Sequence, residues 1–224
     1  MIVAEQKEIT EILDSLKGFK KIVIASCGTC VTVCMSGGEK EALGLKGLLL
    51  ADAGRSRKKL SVSVVNCKRQ CDDEFLDDLE EELLAGDVIL SMGCGVGVQF
   101  LAEKYKDKLV LPCLNTSFYG AAKELGYWTE YCQGCGNCLL EKTGGVCPIA
   151  RCSKSIFNGP CGGSQNGKCE IDSEIDCAWQ LIYEKLKAFN RLDRLMDIYE
   201  TRDWRTSRDG GPRSVRREDV ILEE

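Results

Sequence analysis

Residues 131–152 read YCQGCGNCLLEKTGGVCPIARC. The first three cysteines stand at two-residue gaps, so one short loop can turn three sulfurs toward a common point. A Cys-Pro pair follows at Cys147, and a run of cysteines closed by Cys-Pro is typical of ferredoxins, in which the last cysteine of the run can serve a second cluster. The gap before Cys-Pro is eight residues here. Gly134 and Gly136 suit a backbone that curls round an inorganic group.

The segment 131–177 contains eight cysteines and little apolar material, so something other than apolar burial must hold it together. Eight thiols divide into two sets of four. We expect two [4Fe-4S] clusters, one of them bound by the first three cysteines together with either the fourth or the fifth, and the pairing stays open. Structural zinc, which also binds CxxC pairs, is the alternative. The eight candidate ligands are Cys132, Cys135, Cys138, Cys147, Cys152, Cys161, Cys169 and Cys177.

Composition narrows the functional classes. The chain has 224 residues, a net charge of -5, fifteen cysteines and no histidine. The charge argues against nucleic acid as a partner, and the lack of histidine removes the usual general base and nitrogen ligand. The acidic start MIVAEQKEIT has no apolar signal region, and no apolar run is long enough to span a membrane. We therefore expect a cytoplasmic protein, whose thiols stay reduced and bind metal more often than they form disulfides.

The segment 1–130 alternates strand and helix. After a short polar helix over 4–16, the apolar runs KIVIASC, LSVSVVNC, DVILSMGC and LVLPC are separated by helical patterns. This alternation predicts a small doubly wound parallel sheet of the Rossmann or flavodoxin-like kind. We expect three parts: an α/β domain over 1–130, a ferredoxin-like cluster-binding module over 131–177, and a C-terminal helix with a partner-contacting tail over 178–224.

Each of the four predicted strands ends on a cysteine, and the following loops supply three more. The carboxyl ends of parallel strands lie along one edge of a sheet, where ligands bind. We expect a metal site there, either a third iron–sulfur cluster held by four of these thiols or a zinc ion, although single free cysteines are also common in cores. Nearby Gly93, Gly95 and Gly97 miss the dinucleotide spacing. The seven cysteines are Cys27, Cys30, Cys34, Cys67, Cys71, Cys94 and Cys113.

The carboxy-terminal region begins with a helical apolar pattern. Its stripe predicts a helix packed on this protein's own domain. Beyond it, Trp204 stands among Arg202, Arg205 and Arg208 in a charged segment that extends to residue 224. Because Trp and Arg are favoured at interfaces, we expect a subunit contact there, with a solvated tail as the alternative. The stripe consists of Leu181, Ile182, Leu186, Phe189, Leu192, Leu195, Met196 and Tyr199.

The order of the cysteine motifs resembles a known family. CGTC, CKRQC, a strand ending in GCG, CQGCGNC, VCPIARC and NGPCGG with GKCE are similar to the MetV-type iron–sulfur small subunit of methylenetetrahydrofolate reductase, most specifically over 132–170. The resemblance implies a non-catalytic redox subunit that binds the flavin-containing catalytic subunit. It would relay electrons from an external donor, such as ferredoxin or a larger redox complex, for the reduction of 5,10-methylenetetrahydrofolate. A zinc-binding assembly subunit of the same or a related complex is the competing hypothesis.

Overall fold

The computed structural model describes residues 1–217 and residue 219. The chain divides into two compact units, Met1–Thr129 and Glu130–Glu224. The last part of the predicted tail, residues 218 and 220–224, lies outside the described residues. No helix in the described part of the chain is both long and apolar enough to cross a membrane.

A four-stranded parallel sheet forms the centre of the first unit, as the sequence predicts. Its strands are β2 (Lys21–Cys27), β3 (Ser61–Cys67), β4 (Val88–Ser91) and β5 (Val110–Pro112), in the order β3-β2-β4-β5. The strand order reverses between β2 and β4, so the crevice typical of doubly wound sheets lies between these two strands. Only β2 and β3 end on cysteine, because β4 and β5 stop before Cys94 and Cys113.

Helices cover both faces of this sheet. Alternate side chains of β2 enter two separate cores, Ile22 and Ile24 on one face and Val23 and Ala25 on the other. The first core is completed by α1 (Ile9–Ser15) and α3 (Glu39–Arg55), and the second by α4 (Glu80–Leu84) and α5 (Gly95–Lys104). A further short helix, α2 (Cys30–Val33), follows β2. The segment before α4 is shorter in helix than predicted, since Asp73–Phe75 and Asp77–Leu79 are single 3-10 turns.

A second, antiparallel sheet was not predicted. It comprises β1 (Ile2–Gln6), β6 (Leu114–Glu124) and β7 (Tyr127–Cys132), in the order β1-β6-β7. Strands β6 and β7 form a hairpin whose two-residue loop ends on Gly126, at a φ of 84° that suits glycine. The helix predicted over 4–16 is therefore wrong at its start, because residues 4–6 pair with β6 and α1 begins only at Ile9.

The second unit has little regular structure. The described residues contain two α-helices, α6 (Pro148–Arg151) and α7 (Ala178–Ala188), and short 3-10 turns at Leu192–Met196, Trp204–Thr206 and Arg208–Gly210. The predicted C-terminal helix ends earlier than its apolar stripe, and Phe189 and Met196 are exposed. The core of the second unit consists of Val146, Trp179, Ile182 and Leu186. The described residues of 131–177 do not show the expected ferredoxin-like module; they form loops, one short helix and isolated bridges.

Candidate functional site

Four cysteines of the second unit line one small cavity. Cys152 follows α6, Cys177 immediately precedes α7, and Cys161 and Cys169 lie in the loop between these helices. Four cysteines from separate parts of a 26-residue span thus border the same space. The sequence left open whether Cys147 or Cys152 joins the first three cysteines, and Cys152 is the one that lines this cavity.

Backbone hydrogen bonds hold the cavity wall in place. The Cys169 N–H donates to the Ile175 carbonyl at 2.8 Å, and the Cys177 N–H donates to the Gly167 carbonyl at 2.8 Å. Gly167 has a φ of 79°, which allows the chain to reverse between the two cysteines. The indole N–H of Trp179 donates to the Ile156 carbonyl at 2.9 Å and ties the start of α7 to the loop before Cys161.

Hydrogen-bonding groups lie beside two sulfurs of this cavity, those of Cys161 and Cys169. The Ser153 hydroxyl lies 3.4 Å from the Cys169 sulfur, and this contact, followed by the Ile171 N–H, lowers the pKa of the Cys169 thiol. The Gly163 N–H donates to the Cys161 sulfur at 3.5 Å. Donors of this kind stabilise the thiolate, which is the form that binds metals.

An acidic side chain also lies at this cavity. The Glu170 carboxylate lies 3.4 Å from the Cys161 sulfur and pairs with the Lys154 ammonium. A Cβ on Gly163 would stand 1.7 Å from the same carboxylate, so only glycine fits there while Glu170 keeps this position. The sequence patterns did not identify Glu170, Lys154 or Ser153, because their roles depend on how the loop folds back.

The loop of the first three cysteines is held by the tail. A guanidinium nitrogen of Arg202 donates to the Cys135 sulfur at 2.9 Å, and the Thr206 hydroxyl donates to the Cys135 carbonyl at 2.9 Å. Arg213 donates to the Gly134 carbonyl at 2.6 Å. The described part of the tail therefore contacts this protein's own loop, and the expected contact with another subunit stays a prediction.

The same loop has the backbone geometry of a ligand cradle. Gly134 and Gly136 both have positive φ, at 61° and 78°, and the Gly134 N–H donates to the Cys132 sulfur at 3.3 Å. Arg202 is 8% exposed, and its Nε has no partner among the described atoms. A buried cationic donor beside Cys135 is suited to an anionic group bound through thiolates.

Residues 111–205 match a protein-family model described as methylene-tetrahydrofolate reductase C terminal. This match covers the first loop, the four cysteines of the cavity and the tail residues Arg202 and Trp204. It shows that this part of the chain is similar to that family. Comparisons with curated proteins and with solved structures give no match.

The residues fit a thiolate-bound group by chemistry, although the sulfurs are not gathered round one point. Within residues 1–217 and residue 219, no three His, Cys, Asp or Glu side chains are close enough to hold a single metal ion. The all-cysteine donor set, the N–H groups directed at sulfur and the unpartnered Arg202 Nε nevertheless suit an iron–sulfur cluster, which is held by thiolates and adjusted by hydrogen bonds to sulfur. Cys138 is exposed, and Cys147 lies half-buried just before α6.

The cysteines of the first unit differ in burial. Four are buried and three are exposed or half-buried. The buried ones are Cys27, Cys34, Cys67 and Cys113, and the others are Cys30, Cys71 and Cys94. Cys34 and Cys113 lie in the core shared with α1 and α3, and burial raises the pKa of the Cys113 thiol. Burial, together with the nearby Cys27 thiolate, raises the pKa of Cys67 to about 12. The pKa of Cys71 is raised by burial and then by the thiolates of Cys94 and Cys27.

The contacts of the three glycines after β4 explain why two of these positions lack a side chain, which the sequence did not suggest. A Cβ on Gly93 would stand 2.2 Å from the side-chain oxygen of Gln70, and one on Gly97 would stand 2.9 Å from the Gln70 Cβ. The Gly95 N–H donates to the Thr116 hydroxyl at 2.8 Å. Two of the glycines thus make room for a buried glutamine.

Proposed function

We propose that this chain is the iron–sulfur electron-transfer subunit of a methylenetetrahydrofolate reductase complex. It relays electrons between an external donor, such as ferredoxin or a larger redox complex, and the flavin of a separate catalytic subunit that reduces 5,10-methylenetetrahydrofolate. The observation that carries the proposal is the cavity lined by Cys152, Cys161, Cys169 and Cys177 within the segment that matches the reductase family model.

The cavity also supports a division of the ligands. Cys152, Cys161, Cys169 and Cys177 bind one [4Fe-4S] cluster, and Cys132, Cys135 and Cys138 bind the other together with Cys147. Bound clusters supply one-electron transfer. The protein holds the Cys169 thiolate with Ser153, directs the Gly163 N–H at Cys161, and places the Arg202 charge on Cys135. Positive charge and N–H donors at sulfur favour the reduced, more negative cluster.

Metal analysis of the anaerobically purified chain tests the proposal. We expect about eight irons and eight sulfides per chain to be bound in 131–177. Metal bound elsewhere in the chain should remain when cysteines of that segment are replaced. Cys135→Ala and Cys161→Ala should each remove about four irons, whereas Cys34→Ala, which alters a core thiol, should remove none. Cys135→Ala should also uncouple the external donor while the catalytic subunit keeps its own flavin chemistry.

Two results would contradict the proposal. Zinc without acid-labile sulfide would support the structural or assembly subunit instead. Unchanged iron content in both Cys135→Ala and Cys161→Ala would exclude the proposed ligands.

A further inference from the structure

The parallel sheet brings several cysteines to one edge. Cys27 ends β2 and lies in register with Cys67, which ends β3. Strand β4 pairs with β2 on its other side, and Cys94 stands three residues beyond β4 as the residue preceding α5. The crevice between β2 and β4 is therefore flanked by Cys27 on one side and Cys94 on the other.

Hydrogen bonds of a buried glutamine hold the loop after β3 against this crevice. The Gln70 amide nitrogen donates to the carbonyls of Ala25, at 2.8 Å, and Ser26, at 2.9 Å, both on β2. The Ser91 hydroxyl on β4 donates to the Gln70 side-chain oxygen at 2.6 Å. Gln70 thus joins the two strands that flank the crevice, and the next residue, Cys71, is exposed above them.

The neighbouring loop approaches the same place. The Gly28 N–H donates to the Cys67 carbonyl at 2.9 Å, so the loop after β2 lies against the end of β3. Cys30 begins α2 three residues beyond Cys27 and is half-buried.

Cys27 is itself buried in the core, at 7% exposed, and the three cysteines of this unit that remain are buried as well. Cys67 is 1% exposed and packs with Val65 and Leu76. Cys34 and Cys113 lie in the other core, on the opposite face of the sheet from Cys67. The Cys34 sulfur lies 3.6 Å from the Ala4 carbonyl, and Cys113 is fully buried.

We propose that Cys27, Cys30, Cys71 and Cys94 form a four-thiolate metal site at the carboxyl edge of the parallel sheet. A site of this composition binds a soft, thiophilic metal, either one zinc ion or an iron–sulfur cluster. Binding requires rotation of the side chains, since the described thiols do not yet share one coordination sphere. The exposed Cys71 and the half-buried Cys30 and Cys94 have room to rotate toward the buried Cys27. The site belongs to the first unit and shares no cysteine with the proposed electron-transfer function, so it does not depend on that function.

Metal analysis of full-length variants tests this site. Cys71→Ala and Cys94→Ala should each lose one zinc ion, or about four irons with their sulfides, relative to the unmodified chain. Cys34→Ala and Cys113→Ala are the matched controls and should lose nothing, because these buried thiols are not among the four proposed ligands. Cys161→Ala should keep the metal of this site, which separates failure here from failure of the proposed function.

Alkylation of the unmodified chain provides a second readout that needs no variant. Mass spectrometry should show that the exposed Cys71 resists iodoacetamide in the metal-loaded chain and reacts once a chelator has removed the metal. Equal Cys71 labelling before and after metal removal, or equal metal content in Cys71→Ala and the unmodified chain, would overturn the proposal.

Discussion

The side chain of Gln70 accounts for much of the local order at the crevice. It is fully buried and makes three hydrogen bonds to β2 and β4. Buried polar groups that lose their partners cost about 1 to 3 kcal/mol each, so Gln70→Ala should lower the free energy of unfolding by at least about 2 kcal/mol. Gln99→Ala, which removes one exposed hydrogen bond to the Gly95 carbonyl, should change it by less than about 0.5 kcal/mol. Urea unfolding measures both, and similar losses would contradict this role.

Alanine variants of two glycines in the second unit can distinguish backbone strain from a steric clash. Gly136 and Gly145 have similar φ values of 78° and 86°. A Cβ on Gly136 would lie 2.3 Å from the Thr206 carbonyl oxygen, whereas a Cβ on Gly145 would meet nothing within 4 Å. Both alanine variants should therefore lose about 1 kcal/mol from left-handed backbone strain, and Gly136→Ala should lose more. Thermal unfolding of the metal-loaded chain compares them, and equal losses would mean that the tail does not press on Gly136.

At the scale of elements, Asp87 joins the start of β2 to the loop before β4. Its carboxylate accepts the N–H groups of Lys20, at 3.0 Å, and Lys21, at 2.9 Å, and these bonds lower the pKa of Asp87. A lowered folded-state pKa gives stability above the unfolded value, near 3.9, that is lost as the pH falls through the folded pKa. The stability difference between the native chain and Asp87→Asn should thus be constant above about pH 5 and shrink below about pH 4. A pH series of urea titrations measures it, and a pH-independent difference would contradict the assignment.

The two sheets show which elements a sequence can reveal. Strands β2 and β4 are buried on both faces, so their Val and Ile runs are visible without knowledge of their partners. Strand β6 is mostly exposed, and β1 pairs with it across more than a hundred residues, so neither carries a clear local pattern. The cysteine spacing was equally visible, but the contacts of Arg202 and Thr206 with Cys135 depend on the path of the tail.

At the scale of the molecule, the two units differ in the size of their apolar cores. The first has a large core on each face of its sheet, whereas the described core of the second contains four buried apolar residues. In domains with so small a core, bound metals often supply free energy of folding, so the clusters that we propose for residues 131–177 should stabilise this unit. Removal of the metals should raise amide exchange throughout 131–190 and leave the amides of β2, β3 and β4 protected. Hydrogen exchange with mass spectrometry checks this, and unchanged protection of 131–190 would show that the metals do not stabilise that unit.

The pairing of β1 with β6 has a consequence for synthesis on the ribosome. Ile2 is partnered by Tyr119, so the first strand cannot join its sheet until more than a hundred further residues have been translated. At about 5 to 20 residues per second, β1 waits several seconds or longer, while β2, β3 and β4 can already begin to pair with one another. Its apolar residues Val3 and Ala4, buried in the finished fold, are exposed during this interval. Strand β1 is therefore placed only after β6 has been translated, and nascent chains that stall before residue 114 present it unpaired to the chaperones of the cell.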